Sequence, residues 1–562
     1  MPLQAWVSHL VFTGGSPLDF GPDDVIVIVG PNNAGKSEAL RGIRSKLEDP
    51  RAENPVINSL EVGRSGTFED LAHLFGSMGF ERSVNGQRQF HAFGTAIATA
   101  QAEYEWNRAG GPLGTLSRFL CEFVNAEQRL TLANPSENFS VVHQTPSNPI
   151  QYLLLNDQLE LRLSRQFRKA FDTDLVVHRN AGNQIPLYVG PRPIPQQGQD
   201  RLSVEYIREI EKLSLLQQQG DGMRAFAGLL LAVSVGSQTI LLIDEPEAFL
   251  HPPQARYLGK TLVSDKPLGR QMFIATHSGD ILRGVLDSGS ANVRVVRIRR
   301  AGTNTSVTEL NNERVTELWN DPLLRYSNVL DGVFHERVIV CESDADARFY
   351  AAVSDATADI AEEQPRRSDV MFTHCGGKDR IPTLVRALRH VDVPVSVISD
   401  FDVLNGEQPL RAIVEALGGI WTNLEKDWQT IRTSIDSKKP ELSSAEVAAD
   451  IDQVLRKIAD PIFPKAARES IQKILRRSSP WSTAKTVGKP FVPNGEPTTT
   501  CERLLRELNR LGVFVVEVGE VEGFARSVGG HGPAWVNEVL KKDLRNDPEL
   551  GAARDFVNRV VR

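Results

Sequence analysis

A glycine-rich segment near the amino terminus has the residue types and spacing that bind nucleotide phosphates. Residues 30–37 read GPNNAGKS and match the pattern G-x-x-x-x-G-K-[ST]. Glycine lets the backbone close around a phosphate, and successive N–H groups supply positive potential. Lys36 is expected to reach the β- and γ-phosphates, and the Ser37 hydroxyl to bind Mg²⁺. The predicted nucleotide-binding residues of this loop are Gly30, Asn32, Asn33, Gly35, Lys36 and Ser37.

Two carboxylates and a histidine further along the chain could complete the chemistry of ATP hydrolysis. Asp244 and Glu245 end one apolar run, and His277 follows another. An aspartate at the end of a strand can hold magnesium through water, and the next carboxylate can orient the attacking water. We therefore predict that Ser37 and Asp244 bind magnesium. We predict that Glu245 is the hydrolytic carboxylate and that His277 contacts the γ-phosphate.

The second half of the chain carries carboxylates that directly follow apolar runs. Glu342 follows the run RVIVC, and Asp400 and Asp402 follow the run VPVSVIS. Ligands bind beyond the carboxyl ends of parallel strands, so these side chains are expected to share one crevice. Clustered carboxylates repel each other unless cations lie between them, and hard oxygen ligands suit Mg²⁺ or Mn²⁺. With Asp346 as a further ligand, the set is predicted to hold metal for phosphodiester cleavage.

Short apolar strands that alternate with helices must position these residues, so the sequence predicts an α/β fold. An amphipathic helix is predicted over 202–216, and a loop is predicted over 478–500 because that segment is rich in Ser, Pro, Thr and Gly. Buried parallel strands are predicted at 25–29, 238–244, 271–276, 337–341 and 393–399.

The length of 562 residues suggests more than one domain. We predict a first domain over 1–330, with an unassigned region at about 55–190, and a second over 331–562 with a helical and loop elaboration. The net charge of −7 is not the basic overall charge of a histone-like nucleic-acid-binding protein. Local basic patches can nevertheless bind a phosphate backbone. The apolar runs are far shorter than the ~18 residues of a membrane-spanning helix. With no signal-peptide pattern and four widely spaced cysteines, a cytoplasmic protein without membrane contact is predicted.

The motifs of the first half together resemble ABC-type ATPase heads of the RecF and SMC kind. Residues 244–252 read DEPEAFLHP, and residues 275–278 read ATHS. Such heads hydrolyse ATP across a head-to-tail interface, so the resemblance implies a homodimer or higher homo-oligomer through the ATPase heads. The segment that would face the phosphate loop of the other copy is QGDGM, which departs from the usual LSGGQ-like form. This resemblance adds Gly220 and Gly222 to the predicted nucleotide-binding residues.

The second half resembles a Toprim domain, which has a Glu after its first strand and a D-x-D after a later one. Residues 342–346 read ESDAD, where the family often has E-G-x-x-D. The resemblance implies a late acidic metal ligand, for which Glu522 is favoured over Glu520. It also implies a catalytic lysine that neutralises the transition state, for which Lys485 is preferred to Lys489.

An ABC-type P-loop ATPase head followed by a Toprim Rossmann-like domain resembles the overcoming-lysogenisation-defect (OLD) nucleases, with Gabija-type and PARIS-type antiphage systems nearby. The resemblance implies an endonuclease that uses ATP and Mg²⁺ or Mn²⁺, cleaves DNA or RNA, and acts in bacterial antiphage defence. It is also compatible with a partner protein of the defence system. One alternative is an ATPase sensor or scaffold with a non-catalytic Toprim domain, which Ser343 in place of Gly would support. The other is a RecF-like DNA-repair ATPase, which the length of the second domain disfavours.

Overall fold

A computed structural model describes residues 3–561, except for 85, 93, 142–143, 145, 236–237, 303, 311–327, 359–368, 439–443, 459–461 and 476–479. The chain forms two compact units, Met1–Arg325 and Tyr326–Arg562. Within the described ranges, none of the helices combines the length and the apolar character that crossing a bilayer requires.

A six-stranded sheet forms the centre of the first unit, and its neighbouring strands are parallel except at one edge. Three of its strands are buried at every residue, because both faces of the sheet are covered. These three correspond to the strands predicted at 25–29, 238–244 and 271–276, which are confirmed. In spatial order the strands are β17 (Asn304–Leu310), β16 (Val293–Ala301), β3 (Val25–Val29), β15 (Gln271–Ala275), β14 (Ile240–Asp244) and β8 (Cys121–Val124).

Helices of the first unit connect these strands. The first follows the glycine-rich segment at residues 30–37, here called the P-loop, and its buried face includes Ala39, Leu40 and Ile43. The helices are α1 (Lys36–Glu48), α2 (Phe68–Ser77), α3 (Thr99–Asn107), α4 (Ser117–Leu120), α5 (Ala126–Leu132), α6 (Pro149–Leu155), α7 (Asp157–Phe171), α8 (Val204–Ile210), α9 (Asp221–Ser234), α10 (Pro252–Ser264) and α11 (Gly279–Leu286), with 3₁₀ turns at Gly114–Leu116 and Leu216–Gln218.

Smaller antiparallel sheets complete the first unit and occupy much of the region that the sequence left unassigned. One sheet has the order β2 (Pro17–Asp19), β1 (Gln4–Phe12), β4 (Ile57–Ser65), and another joins β5 (Glu81–Val84), β6 (Gln87–Ala92) and β7 (Thr95–Ala98). The others are β10 (Leu175–Val177), β12 (Leu187–Val189) and β13 (Ser214–Leu215), and the pair β9 (Ser136–Glu137) and β11 (Gln184–Ile185).

The amphipathic helix predicted over 202–216 is too long. Helix α8 ends at Ile210, and a turn follows in which the N–H of Leu213 donates to the main-chain oxygen of Ile210. Residues 214–215 then pair with β12 as strand β13. Pairing with a distant strand therefore overrides the local helical pattern at the end of this segment.

A four-stranded parallel sheet forms the centre of the second unit. Its order is β19 (Val370–His374), β18 (Arg337–Cys341), β20 (Val395–Ser399) and β21 (Val513–Val515). Strands β18 and β20 correspond to the predicted strands at 337–341 and 393–399. Because these two strands are parallel neighbours, the residues that follow them lie at the same edge of the sheet.

The second unit has an aromatic core, in which the ring of Phe349 contacts the rings of Trp535 and Phe524. The helices of the second unit are α12 (Asp344–Thr357), α13 (Ile381–His390), α14 (Glu407–Ala416), α15 (Glu425–Asp436), α16 (Ser444–Leu455), α17 (Lys465–Leu475), α18 (Pro480–Val487), α19 (Glu496–Leu511), α20 (Pro533–Val539) and α21 (Gly551–Val561). 3₁₀ turns lie at Asn328–Phe334, Lys378–Arg380, Phe401–Asn405, Trp421–Asn423, Lys489–Phe491, Val521–Phe524 and Pro548–Leu550.

The loop predicted over 478–500 is wrong, since most of its described residues are helical. Helix α18 begins at Pro480 and buries Trp481 and Ala484, and helix α19 begins at Glu496 with a proline in its first turn. Proline is favoured in the first turn of a helix, where its missing N–H is not needed. The prolines here mark the starts of helices.

Candidate active sites

The P-loop joins β3 to α1 in a backbone conformation that requires glycine. Gly30 and Gly35 have φ angles of 147° and 98°. A Cβ on Gly30 would lie 2.3 Å from the main-chain oxygen of Ile298 on the neighbouring strand. The Lys36 Nζ donates hydrogen bonds to the main-chain oxygens of Gly30 and Pro31 at 2.8 and 2.9 Å. The lysine ammonium group is thus held against the loop that would bind phosphate.

The two residues predicted to bind magnesium in the first unit contact each other. The Ser37 Oγ donates a hydrogen bond to Asp244 Oδ1 at 2.8 Å. Asp244 ends β14, and burial raises the pKa of its carboxyl group. A hydroxyl and a carboxylate side by side provide the hard oxygen donors that Mg²⁺ prefers.

Glu245 and His277 face each other across the ends of β14 and β15. Glu245 has a φ of 48°, and its N–H donates to the main-chain oxygen of Ala275 at 2.8 Å. The His277 Nδ1 lies 3.7 Å from Glu245 Oε1 and 3.1 Å from Glu247 Oε1. The side chains of Glu245 and His277 are about half exposed, at 49% and 52%, so both remain accessible to a nucleotide.

Glu247 was missed by the sequence analysis. It is buried, and its carboxylate accepts hydrogen bonds from Thr276 Oγ1 and from the N–H of His277, each at 2.9 Å. Burial raises the pKa of the Glu247 carboxyl group. Glu247 therefore orients the segment that carries His277. Its position within PEAFLHP, two residues after Glu245, was the available signal.

A cleft of ≈ 560 Å³ brings most of the predicted nucleotide-binding residues together. This volume is in the range of small-molecule sites. Gly220 and Gly222, at the start of α9, lie outside its described lining; a Cβ on Gly222 would lie 2.8 Å from the main-chain oxygen of Phe249. The described lining comprises Asn32, Asn33, Gly35, Lys36, Ser37, Glu38, Arg41, Pro55, Glu245, His277 and Arg300.

Arg129 is a second residue that the sequence analysis missed. It lies on α5, is fully buried, and donates from Nη2 to the main-chain oxygen of Glu245 at 2.9 Å. Its Nε and Nη1 have no hydrogen-bond partner among the residues that the structure describes. Burial lowers the pKa of Arg129 to about 10, while Glu247 and Asp244 favour the charged form. A Cβ on Gly228 of α9 would lie 2.0 Å from the Arg129 carbonyl oxygen, so close packing of α9 fixes α5.

In the second unit, Glu342 and Asp400 meet where β18 and β20 end. The main-chain N–H of Asp400 donates a hydrogen bond to Glu342 Oε1 at 3.2 Å. Burial, with the nearby charge of Asp402, raises the pKa of Glu342. Burial and the Glu342 carboxylate raise the pKa of Asp400 to about 8. The carboxylates are close enough to disfavour one another's charged form, as expected of groups that share a cation.

Asp346 and Ser343 form a capping box at the start of α12. The N–H of Asp346 donates to Ser343 Oγ at 3.2 Å, and the N–H of Ser343 donates to Asp346 Oδ2 at 3.0 Å. Burial raises the pKa of Asp346. The serine that replaces the family's usual glycine therefore caps the helix that positions Asp346.

The structure brings Lys485, and not Lys489, to these carboxylates. The Lys485 Nζ on α18 lies 3.2 Å from Asp400 Oδ2 and 4.0 Å from Glu520 Oε2. Burial opposes its charge, but the Asp400 carboxylate and its neighbours raise the pKa of Lys485. The Lys489 Nζ lies 3.1 Å from Glu502 Oε1 instead.

A second lysine lies beside the D-x-D segment. The Lys378 Nζ, from the 3₁₀ turn Lys378–Arg380, is 3.2 Å from Asp402 Oδ2. The other oxygen, Asp402 Oδ1, is buried and has no hydrogen-bond partner within the described residues. An orphaned carboxylate oxygen beside Glu342 and Asp400 fits a divalent cation, so the donor set is suited to metal binding.

Glu520 and Glu522 lie together with a histidine in the segment that follows β21. The Glu522 Oε1 accepts hydrogen bonds from His531 Nδ1 at 2.6 Å and from the N–H of Gly532 at 2.7 Å. The His531 Nε2 lies 3.7 Å from Glu520 Oε1. The hydrogen bond with Glu522 raises the pKa of His531. His531 was not predicted, because its contacts with the two glutamates are not visible as a sequence motif.

Two family models match the chain. A model described as an AAA domain (AbiEii, type IV TA system) matches residues 116–283. A model described as the Toprim domain of proteins like the overcoming lysogenization defect protein matches residues 333–402. The Old nuclease of Escherichia phage P2 is 22% identical over 175 residues, which cover 30% of this chain and 28% of that nuclease. The match therefore spans less than a third of that relative's length.

Solved structures of SMC heads are also similar to this chain. One is the SMC head bound to the C-winged helix domain of ScpA, with 15% identity and a TM-score of 0.31, covering 56% of this chain and 99% of that one. Another is the SMC head domain from Thermotoga maritima, with 14% identity and a TM-score of 0.29, covering 55% and 100%. The assignment rests on the two family models and their order. The chain is an α/β fusion of an AAA-type ATPase domain and an OLD-like Toprim domain, and it is similar to the Old nuclease over less than a third of its length.

Proposed function

We propose that the protein is a cytoplasmic, ATP-hydrolysing and divalent-metal-dependent endonuclease that cleaves DNA or RNA in bacterial antiphage defence. One observation carries the nuclease assignment. Glu342 and Asp400 follow adjacent parallel strands and are linked by a hydrogen bond, and Lys485 contacts Asp400. The relative from phage P2, which is named a nuclease, supports the same assignment.

At the Toprim site, Glu342, Asp346, Asp400 and Asp402 would hold the metal, with Glu520 and Glu522 nearby. Divalent cations bound there would stabilise the attacking and leaving oxygens of the phosphodiester. Lys485 carries a positive charge beside Asp400, where the phosphate gains negative charge in the transition state. The ammonium group is already positioned by Asp400, so it needs little reorganisation as the reaction proceeds.

At the ATPase site, Lys36 and Ser37 would bind the phosphates and magnesium of ATP. Glu245 would orient the water that attacks the γ-phosphorus, as the bond to the β,γ-bridging oxygen breaks. His277 is held by Glu247 on the same side as Glu245, where it would contact the γ-phosphate. Each group is supported by its own buried partner: Asp244 supports Ser37, and Glu247 supports His277.

We further propose that the ATPase heads form a homodimer in which Gly220 and Gly222 face the phosphate loop of the other copy. Gly222 abuts the main-chain oxygen of Phe249, and the Phe249 side chain is 50% exposed. An ATP-dependent contact at this surface would change the arrangement of the heads and thereby regulate the nuclease. A partner protein of the defence system would bind to one arrangement of the heads and so respond to the same change.

The scaffold alternative loses its sequence support. It depended on Ser343 in place of glycine, and Ser343 caps α12 in a capping box with Asp346. The serine is therefore compatible with an intact metal site, and no described residue of the site favours a non-catalytic Toprim domain.

The decisive experiment is cleavage of supercoiled plasmid and of a tRNA pool, with Mg²⁺ or Mn²⁺, with and without ATP. Wild type should cut at least one polymer, and Asp400→Ala should abolish cutting. Glu415→Ala is the matched control, since Glu415 is an exposed carboxylate paired with Arg411 in the same unit. Cutting that survives Asp400→Ala, or that is absent under every nucleotide and metal condition, would overturn the endonuclease proposal.

A further inference from the structure

We propose that the first unit contains a second nucleotide site, which is separate from the ATP cleft and binds a nucleoside monophosphate. The site lies at the edge of the six-stranded sheet where β8 is the last strand. It comprises two cavities, and none of the described residues that line them also lines the ATP cleft. The inference goes beyond the proposed ATPase and nuclease functions and depends on neither.

The first cavity, of ≈ 310 Å³, offers a positive charge that has no ionic partner. Of its two arginines, Arg118 is paired through Nη2 with Glu48 Oε1 at 2.8 Å. Arg44 of α1 has no hydrogen bond or ion pair with any residue that the structure describes, and its guanidinium group lies 5.6 Å from the centroid of the Phe123 ring. Because a guanidinium group can donate two parallel hydrogen bonds to a phosphate, Arg44 is suited to one phosphate group.

Glu122 of β8 lines the same cavity and is a second group with no partner. Within the described part of the chain its carboxyl group forms neither a hydrogen bond nor an ion pair. Burial raises the pKa of Glu122, although the charge of Arg44 opposes the shift. Glu122 therefore binds a proton more readily than an exposed glutamate does, and when protonated it can both donate and accept hydrogen bonds. Such a group suits the hydroxyls of a ribose, which acidic side chains also bind in dinucleotide-binding folds.

Glu122 also lines a second cavity, of ≈ 160 Å³, whose other walls are mostly apolar. These walls include Leu132 of α5, Ala232 of α9 and the ring of Tyr152 on α6. An aromatic ring beside apolar side chains favours a planar ring system that can stack on it. A ligand that passes over Glu122 would place such a ring against Tyr152 and an anionic group against Arg44. A nucleoside monophosphate has this arrangement of base, sugar and phosphate.

The proposed site borders two helices that carry residues of the ATPase site, but it lies apart from the cleft itself. Arg44 is seven residues after Ser37 on α1, which corresponds to about 10 Å along the helix axis. Gln128, which lines the first cavity, lies on α5 directly before Arg129, whose guanidinium group donates to the main-chain oxygen of Glu245. The two sites can therefore be occupied at the same time, and each can be removed without the other.

The test is isothermal titration calorimetry of the full-length protein with AMP, GMP, CMP and UMP. Inorganic phosphate and the parent nucleosides serve as probes of each half of the site. At least one nucleotide should bind wild type with a Kd about tenfold lower than that of phosphate or of its own nucleoside. Arg44→Met should weaken nucleotide binding by about tenfold or more, since it removes the charged donor to the phosphate. Tyr152→Ala should weaken it by about fivefold or more and leave phosphate binding unchanged, because stacking on the base is lost.

Reciprocal variants assign the bound nucleotide to the correct site. Lys36→Met should lose ATP binding and retain the nucleoside monophosphate, whereas Arg44→Met should retain ATP binding. The ligand that each variant retains also shows that the variant is folded. Arg51→Met, which alters an exposed arginine paired with Asp49, is the matched control and should bind both ligands as wild type does.

Several results would overturn the inference. Loss of monophosphate binding in Lys36→Met would place the probe in the ATP cleft, and unchanged binding in Arg44→Met would remove Arg44 from the site. Inorganic phosphate that binds as tightly as every nucleotide would leave a simple anion site, and binding of none of the four nucleotides would leave no site. These measurements require neither cleavage nor ATP turnover. A protein that binds the monophosphate but is inactive would refute the proposed function and keep this site.

Discussion

The buried guanidinium group of Arg129 donates a hydrogen bond from Nη2 to the main-chain oxygen of Glu245 at 2.9 Å. Glu245 adopts a left-handed backbone conformation, with a φ of 48°, which is uncommon for a residue other than glycine. A conformation of this kind persists only where surrounding structure holds it. Arg129 on one side, and the hydrogen bond to Ala275 on the other, hold the residue that we propose to activate water.

The first prediction concerns this positioning. Arg129→Met should lower the kcat of ATP hydrolysis by about 100-fold, because a small displacement of Glu245 misaligns the attacking water. The KM for ATP should change by less than about threefold, since Lys36 and Ser37 still bind the phosphates. Steady-state ATPase kinetics measure both constants. Arg129→Lys should restore part of kcat, and Arg118→Met, which alters an exposed arginine paired with Glu48, serves as control. An unchanged kcat in Arg129→Met would show that the arginine is only structural.

The second prediction separates the two lysines of the segment 485–489. Lys485→Ala should reduce cleavage by about 100-fold or more, because it removes a preorganised positive charge beside Asp400. Lys489→Ala should cleave nearly as wild type, since Lys489 pairs with Glu502. Single-turnover cleavage rates at saturating metal measure the effect on the chemical step. Equal losses in the two variants would remove Lys485 from the mechanism.

Local motifs were predictable from the sequence, and contacts between distant segments were not. The glycines and the lysine of the P-loop lie within one continuous segment, so their spacing in the sequence is enough to predict the loop. Arg129 lies 116 residues from Glu245, and nothing in its neighbouring residues indicates that contact. Lys485 was selected from a segment predicted as a loop, although it lies on a helix that buries Trp481 and Ala484. The structure places Lys485 beside Asp400, and its catalytic role stays a prediction, while the element predicted to carry it was wrong.

The Toprim carboxylates illustrate the same difference. Glu342 and Asp400 were predictable as neighbours because each directly follows a strand of one parallel sheet, and the sheet order brings the two strand ends together. His531 contacts Glu520 and Glu522 through a turn that contains Gly530 and Gly532. Such a turn leaves no periodic pattern, so only the folded chain reveals this contact.

The third prediction concerns acid stability of the first unit. The carboxylate of Asp174 is buried, accepts hydrogen bonds from Ser164 Oγ at 3.0 Å and from the N–H of Arg192 at 3.1 Å, and pairs with Arg168. Burial opposes its charge, but the Arg168 guanidinium and these donors lower the pKa of Asp174. Because the pKa of Asp174 is lower in the folded state than in the unfolded state, its ionised carboxylate stabilises the folded protein at pH values above the unfolded pKa of about 3.9. This stabilisation is lost as the pH falls through the lower pKa of the folded state.

Asp174→Asn should therefore destabilise the protein at pH 7 by roughly 1–3 kcal/mol, the usual range for hydrogen bonds to a charged group. The difference between wild type and variant should shrink as the pH falls below about 4. Thermal unfolding followed by circular dichroism across pH 3–7 measures it. Asp172→Asn is the control, because Asp172 neighbours Asp174 in sequence at the end of α7. A difference that grows toward acid pH would contradict the assigned direction of the pKa shift.

The last prediction addresses Ser343, the position at which this chain departs from the Toprim pattern. Ser343→Ala should destabilise the second unit by about 1 kcal/mol, because alanine removes the side-chain cap of α12. Ser343→Gly, which restores the family's usual residue, should cost only a few tenths of a kcal/mol, since glycine is tolerated at a helix N-cap. Both variants should retain metal-dependent cleavage, because Asp346 keeps its place in the first turn of α12. Denaturant unfolding and plasmid or tRNA cleavage measure the two effects. If Ser343→Gly instead created cleavage that wild type lacks, the serine would mark an inactivated Toprim domain, and the scaffold alternative would be right.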